Sequence, residues 1–164
     1  MLQKNEKCGT FAAPQNCATG KDVIVIASEF NKQYVDSMLS AAEPILEKAG
    51  LNVRVYRVPG AYEIPCIIGK ILTRTRPAAF LCLGVVMRGE TTHATNITEA
   101  VTATFSNTQC ATAIPIINGV YMFENHEQAQ KRCIDPEYNR GIELANTTIA
   151  MIQNMEQIEK DFPK

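Results

Sequence analysis

The 164-residue chain is expected to fold as one three-layer α/β domain, a parallel sheet of about four strands with helices on both faces. Three observations predict this. Apolar, β-branched runs alternate along the chain with segments whose apolar residues recur at helical spacing. One run, Ala78-Ala79-Phe80-Leu81-Cys82-Leu83, is unbroken, as in a strand buried on both faces of a parallel sheet. Each run passes at its carboxyl end into a polar turn, and in open α/β sheets that edge is where ligands bind.

The elements follow in order. Residues 1 to about 20 are small and polar without any period and read as a flexible arm, leaving 21–164 as the single domain. Asp22 to Ala27 is the first strand, ending in Ser28-Glu29-Phe30-Asn31. An aromatic there is either a lid over the core or a stacking platform for a flat ligand, and sequence alone favours the lid. From Lys32 to Lys48 the apolar residues Val35, Met38, Leu39, Ala42, Ile45 and Leu46 define a helix that Pro44 should kink or split. Leu51 to Val58 alternates as a second strand, and Pro59-Gly60 turns the chain at its end. Glu63 opens the next helix, which continues through Ile67, Ile68, Ile71 and Leu72. The acid there either pairs with the helix dipole or accepts hydrogen bonds from a polyhydroxyl ligand.

The third strand leads into Gly84-Val85-Val86-Met87-Arg88-Gly89-Glu90-Thr91-Thr92-His93. Gly89 allows close backbone approach, and two hydroxyls precede a helix start whose free N–H groups suit an anion. His93, one of two histidines, lies beside that anion site as an acid/base candidate. The plainer reading is a capped helix start with a surface histidine. A helix bearing Ile97, Ala100, Val101, Thr104 and Phe105 follows. Thr112 to Ile117 reads as a fourth strand, in which Pro115 indicates a position near the edge or at the strand's start, with Asn118-Gly119 as its closing turn. A short helix carries Glu127 to Arg132, and a last one runs from about Arg140 to Lys160. Phe30, Glu63, the Gly89–His93 loop and Asn118 thus gather at one edge of the sheet, and Arg132 joins them from the same chain or a neighbour. The set suits a flat polar heterocycle together with a phosphorylated small molecule, for which arginine is the natural bidentate contact.

Composition narrows the function. A formal net charge of -1 gives no electrostatic footprint for nucleic acid or an acidic membrane. No apolar run is long enough to span a bilayer and no secretory signal is visible, so the two Asn-x-Thr matches at Asn96 and Asn146 are expected to be chance. Six cysteines are present without a C-x-x-C pair, which supports neither a zinc site nor a redox pair. Cys66, Cys82, Cys110 and Cys133 are scattered through apparent core elements, and thiols so placed fit the cytoplasm.

From about residue 22 to 158 the chain resembles the lumazine synthase family. The resemblance is carried by Phe30-Asn31, Val58-Pro59-Gly60-Ala61-Tyr62-Glu63-Ile64-Pro65, the Gly84-to-His93 stretch, Asn118-Gly119-Val120 and Glu127-Gln128-Ala129-Gln130-Lys131-Arg132, in order and at matching spacing. It implies a flavodoxin-like fold. It also implies condensation of 5-amino-6-(D-ribitylamino)uracil with 3,4-dihydroxy-2-butanone 4-phosphate to 6,7-dimethyl-8-ribityllumazine, with no metal or organic cofactor. By the same resemblance Phe30 stacks on the pyrimidine. Ala61, Tyr62 and Glu63 hold the ribityl chain, and Val85, Val86 and Met87 line the ring through their backbone. Glu90 and Thr91 mark the phosphate loop, and His93 transfers protons. Asn118 and Arg132 reach the site from an adjacent subunit of a pentamer or a twelve-pentamer shell, Arg132 contacting phosphate.

Two positions depart from the pattern. Glu29 stands where many members carry Arg, and Asn118 where many carry a large ring-sandwiching residue. Rival readings come from other classes. A flavodoxin-like electron carrier would want a hydroxyl-rich phosphate loop after the first strand, where this chain has Ser28-Glu29-Phe30-Asn31-Lys32. A non-catalytic flavin- or lumazine-binding shell protein would not need both His93 and Arg132. An archaeal-type riboflavin synthase would require lumazine as its substrate.

Overall fold

A computed structural model describes residues 20–163. The arm expected over residues 1 to about 20 therefore lies almost wholly outside the described residues. Four parallel strands, β1 (Asp22–Ser28), β2 (Asn52–Val58), β3 (Ala79–Met87) and β4 (Ile116–Phe123), form one sheet in the order β2-β1-β3-β4. Helices α1 (Lys32–Lys48), α2 (Ile64–Leu72), α3 (His93–Thr112), α4 (His126–Cys133) and α5 (Arg140–Asp161) connect and cover it, with a single 3-10 turn at Ala61–Glu63. The expected three-layer α/β architecture is borne out.

Two hydrophobic cores lie on either side of the sheet, and the two-residue period of a strand explains why both are dry. In β1, Val23, Val25 and Ala27 face α1 and α5 together with Tyr34, Met38, Leu46, Ile149 and Ile152. Ile24 and Ile26 face α2 and α3, joining Ile64, Ile68, Phe80, Val101 and Phe105. The central strands β1 and β3 are consequently buried almost throughout, whereas β2 at one edge keeps Val55 and Tyr56 exposed.

Strand order also locates the crevice. From β1 the chain crosses by way of α1 to β2 on one side, while β3 lies on the other side of β1. The sheet therefore has its topological switch point between the carboxyl ends of β1 and β3.

Five local expectations are corrected. Gly84, Val85, Val86 and Met87, expected in the loop after the third strand, complete β3 in its ladder with β4. Pro44 does not split α1, which runs unbroken from Lys32 to Lys48. Pro44 lies on the exposed face, and so does Ser40, whose carbonyl loses its helical donor and is left to water. The fourth strand begins and ends later than its composition indicates. Helix α3 continues to Thr112, Ala113 terminates it in the left-handed conformation (φ 55), and β4 starts only at Ile116. Pro115 has no N–H for the ladder, but its carbonyl accepts from Phe80 N–H at 2.9 Å.

Asn118-Gly119 is not a turn at all. Asn118 pairs opposite Cys82 and Gly119 opposite Leu83 in mid-strand. The glycine is there for packing: a Cβ would lie 2.7 Å from the Cys82 carbonyl and from Leu144 Cδ1. The thiols also divide differently from expectation, with Cys82 and Cys133 buried but Cys66 and Cys110 exposed.

Candidate active site

A cavity of about 780 Å³ opens at the switch point. The loop after β1 contributes Phe30 and Asn31, and the loop after β2 contributes Gly60, Ala61, Tyr62 and Glu63. Val85, Val86 and Met87 line it from the end of β3. The first two turns of α3 supply His93, Asn96, Ile97 and Ala100.

The aromatic wall is built on a glycine. Phe30 is 68% exposed, so it is a platform facing the cavity and not the lid that its sequence position favours. A Cβ at Gly60 would lie 3.1 Å from Phe30 Cδ2 and 2.9 Å from Glu63 Oε2. Only glycine lets the ring and the carboxylate close in on that backbone together. The loop is tied to β2 by Phe30 N–H donating to the Pro59 carbonyl at 3.0 Å and Glu29 N–H to the Val58 carbonyl at 2.8 Å.

Glu63 stands at the start of α2, as its reading as a helix-dipole partner expects. Its Oε2 accepts from Gly60 N–H at 2.9 Å, closing the turn that precedes α2. Oε1 takes no part in that bond, so a ligand hydroxyl can donate to it.

Glu29 is absorbed into a surface ion network. Its carboxylate meets Lys32 Nζ at 2.7 Å and Arg57 Nε at 3.9 Å, while Arg57 Nη2 reaches Asp36 Oδ1 at 2.7 Å. Two acids and two bases cancel there, so Glu29 adds no net negative field beside the cavity.

His93 is the first residue of α3 and exposed, with its N–H 3.4 Å from Thr91 Oγ1. Its imidazole has no partner among the described residues, as suits a group that must exchange protons with a ligand. Asn96, Ile97 and Ala100 follow it along one helix face at i+3, i+4 and i+7. Sequence reading placed Ile97 and Ala100 on a core face and passed over Asn96. Counting helically from His93 is the signal that finds all three. Asn31 was likewise passed over except as part of a dipeptide match.

The other expected residues stand apart from this cavity in the single chain. Glu90 and Thr91 are exposed in the loop before α3 and do not line it. The neighbouring Arg88 is engaged by Glu124, Nη1 to Oε1 at 2.8 Å, so it offers no free cation. Asn118 lies in mid-β4, donating to Thr102 Oγ1 at 3.2 Å and accepting from Val120 N–H at 3.0 Å. Arg132 sits half-buried on α4 with no ion-pair partner among the described residues.

Buried thiols do not extend the chemistry. Burial pushes the Cys82 thiol far up, and it pushes Cys133 up to about 12 against the opposing pull of Arg140. Both are therefore neutral and unreactive near neutral pH. Among the described residues no group of three or more His, Cys, Asp or Glu could hold a metal ion. No helix there is long and apolar enough to cross a membrane.

A parallel α/β sheet carrying an aromatic shelf, a carboxylate and an unpartnered imidazole around one switch-point cavity defines an α/β protein equipped to hold a small polar ligand and move its protons. The chain belongs more particularly to the 6,7-dimethyl-8-ribityllumazine synthase family, whose model matches residues 20–156. It is 33% identical over 144 residues to a protein of that name from Leuconostoc mesenteroides, covering 86% of this chain and 92% of the relative. The one from Syntrophus aciditrophicus is 33% identical over 144 residues, 86% of this chain and 94% of the relative. That from Stenotrophomonas maltophilia is 31% identical over 137 residues, 82% and 88% respectively. The family resemblance read from the motifs is thereby borne out.

Proposed function

We propose that this chain is an enzyme that condenses 5-amino-6-(D-ribitylamino)uracil with 3,4-dihydroxy-2-butanone 4-phosphate to give 6,7-dimethyl-8-ribityllumazine, the penultimate step of riboflavin biosynthesis. The observation that carries the reading is the meeting of Phe30, Glu63 and His93 on one cavity in a chain of this family.

The pyrimidine lies on Phe30 against the backbone of Val85, Val86 and Met87. Its ribityl chain runs along Ala61 and Tyr62 to the free oxygen of Glu63. The pyrimidine amine attacks the ketone carbonyl and water leaves as the imine forms; phosphate is eliminated, the resulting enol becomes a ketone, and the ribityl-bearing nitrogen attacks it to close the ring with loss of a second water. Each step moves a proton, which is the work of His93. Imidazole is the side chain best matched to proton transfer near neutral pH. The loop marked by Glu90 and Thr91 receives the phosphate through backbone N–H groups and the Thr91 hydroxyl, together with the N–H groups opening α3, where the helix dipole favours an anion. No step calls for a metal or an organic cofactor.

Residues 21–164 act as the single catalytic domain of a homo-oligomer, a pentamer or a shell of twelve pentamers. Asn118 and Arg132 serve the cavity of an adjacent subunit, Arg132 on the phosphate. Three features support assembly. Arg132 lies away from its own chain's cavity with its guanidinium unpaired among the described residues, Phe30 and Tyr62 are largely exposed, and β2 leaves Val55 and Tyr56 uncovered. Large exposed apolar groups of this kind mark interaction surfaces. The free thiols Cys66, Cys82, Cys110 and Cys133 suit a cytoplasmic setting.

The test is to mix the purified protein with both substrates and follow lumazine fluorescence. Product formation that needs both substrates supports the reading. Absence of product, with lumazine still bound, would leave a non-catalytic binding protein.

A further inference from the structure

We infer that Asn31 is a positioning residue, which spans the switch point and sets the gap between the aromatic shelf and the β3 backbone against which the heterocycle lies. The inference deepens the reading of this cavity as the pyrimidine site and rests on it.

Asn31 takes a conformation that side chains other than glycine seldom adopt, φ 55 and ψ 37. The chain needs it there. The strand β1 ends at Ser28 and α1 begins at Lys32, leaving three residues to reverse direction. Asparagine tolerates the left-handed region better than most residues, but glycine tolerates it best, so the turn alone does not account for the amide.

Helix capping does not account for it either. An asparagine at this position usually accepts a hydrogen bond from the first helical N–H groups, and here the side chain makes no cap bond. Its Nδ2 donates instead to the carbonyl of Val85, 54 residues away, at 2.8 Å. A carbonyl only accepts, so the nitrogen side of the amide must face it, and the orientation of Asn31 is settled by chemistry.

The bond matters because of what it joins. At a switch point the crossovers leave in opposite directions, so no covalent connection bridges the ends of β1 and β3. The Phe30 loop is held towards β2 by its backbone bonds to Val58 and Pro59. Towards β3, the Asn31 amide is the one hydrogen bond that ties this loop, among the described residues. The Phe30 ring is too exposed for packing to hold it. Phe30, Asn31 and Val85 all line the same cavity. The width of the slot for a flat ring is therefore governed by this amide. The commitment of the Val85 carbonyl to Asn31 also leaves Met87, the next residue whose backbone faces that side of β3, as the freer backbone partner for the ring.

Two variants test this. Asn31→Gly keeps the backbone conformation and deletes the donor. Asn31→Asp keeps side-chain size and places an acceptor against the Val85 carbonyl. Steady-state rates are measured with each substrate varied in turn, alongside Tm and fluorescence titration with 6,7-dimethyl-8-ribityllumazine. The expected result for Asn31→Gly is a KM for the pyrimidine, and a Kd for lumazine, raised about tenfold, as for the loss of one hydrogen bond. The KM for the butanone phosphate and Tm should stay near wild type, and Asn31→Asp should be at least as impaired. An unmoved pyrimidine KM and lumazine Kd in both variants would overturn the inference. So would a parallel rise in both KM values with a fall in Tm, which marks a general structural role. If the wild type binds lumazine but makes none, the proposed reaction fails and the Kd ratio alone decides Asn31. A wild type that does neither overturns both.

Discussion

The two ends of the sheet invite comparison, because each carries a cavity and only one is equipped as a site. At the amino ends of the strands a hollow of about 490 Å³ is lined by Lys21, Asp22, Arg76, Glu156 and Glu159 among others. Its charges are largely spent on one another. Lys21 Nζ meets Glu156 Oε1 at 3.0 Å, Arg54 Nη2 meets Asp22 Oδ2 at 3.4 Å, and the Arg76 guanidinium donates to the Thr112 carbonyl. At the carboxyl ends the larger cavity keeps an imidazole without a partner among the described residues and a carboxylate oxygen outside its capping bond.

Helix polarity explains part of the contrast. Strand–helix–strand crossovers put helix C-termini, with their unpaired carbonyls, at the amino end of the sheet. The protein answers them with its own cation, since Arg76 caps the last residue of α3. The same crossovers put helix N-termini at the carboxyl end, where the free N–H groups favour an anion. The chain leaves that position to a ligand, and its nearest arginine, Arg88, is already held by Glu124. Proximity of charges does not make a site; polar groups left without intramolecular partners do.

The most severe way to probe this contrast is at His93. General acid–base help is worth about 10²–10⁴-fold, so His93→Ala should lower kcat by roughly 10²-fold or more. Measurable activity should remain, because holding two substrates together supplies effective molarities of about 10⁵ M or more. Lumazine fluorescence under saturating substrates gives the rate. A kcat equal to wild type would mean that the free imidazole is incidental and would dissolve the distinction between the two ends.

Arg132 comes next. It lies outside its own chain's cavity, and its guanidinium has no ion-pair partner among the described residues. Charge-assisted hydrogen bonds are worth about 1.5–3 kcal/mol, so Arg132→Ala should raise the KM for the butanone phosphate by about 10–100-fold. The pyrimidine KM should change little. If only the pyrimidine KM moved, the anion would have to be held elsewhere. Mixing His93→Ala and Arg132→Ala subunits sharpens the point: a site shared between chains should recover activity wherever an intact pair meets.

How far the sequence discloses all this depends on the range of the interactions. Apolar runs and helical spacing are local, and they locate β1, α1, β2 and α5 close to their observed bounds, whereas β3 runs past Leu83 to Met87 and α3 runs on to Thr112. The strand-end rule brings together Phe30, Glu63 and His93, which line one cavity, but also Asn118 and the loop before His93, which do not; Ala61, Tyr62, Val85, Val86 and Met87, which line it too, come from the family resemblance. Asn118-Gly119 misled because its turn chemistry is real but is overridden by pairing with Cys82 and Leu83 and by packing on Leu144. Phe30 is legible as an aromatic at a strand end, but its placement on the cavity is not, since the ring packs close to the Gly60 backbone, 30 residues further on. The bond from Asn31 to Val85 spans 54 residues and leaves no periodicity or motif to betray it.

The smallest effect belongs to the amino end, and its smallness is what the comparison requires. Lys21→Met keeps the apolar stem of the side chain and removes the charge facing Glu156. The side chains are 35% and 17% exposed, so the pair is only partly screened, and a partly exposed ion pair contributes at most about 1 kcal/mol. For a chain of this size that corresponds to a Tm lower by roughly 2–4 °C. Salt should erase much of it, because screening at 1 M acts over about 3 Å, so variant and wild type should converge in Tm as ionic strength rises. Neither kcat nor either KM should move, since the charge is spent on Glu156 and lies at the opposite edge of the sheet from His93. A several-fold loss of activity at unchanged Tm would show that the amino-end hollow communicates with the chemistry, and the division between a structural end and a working end would have to be abandoned.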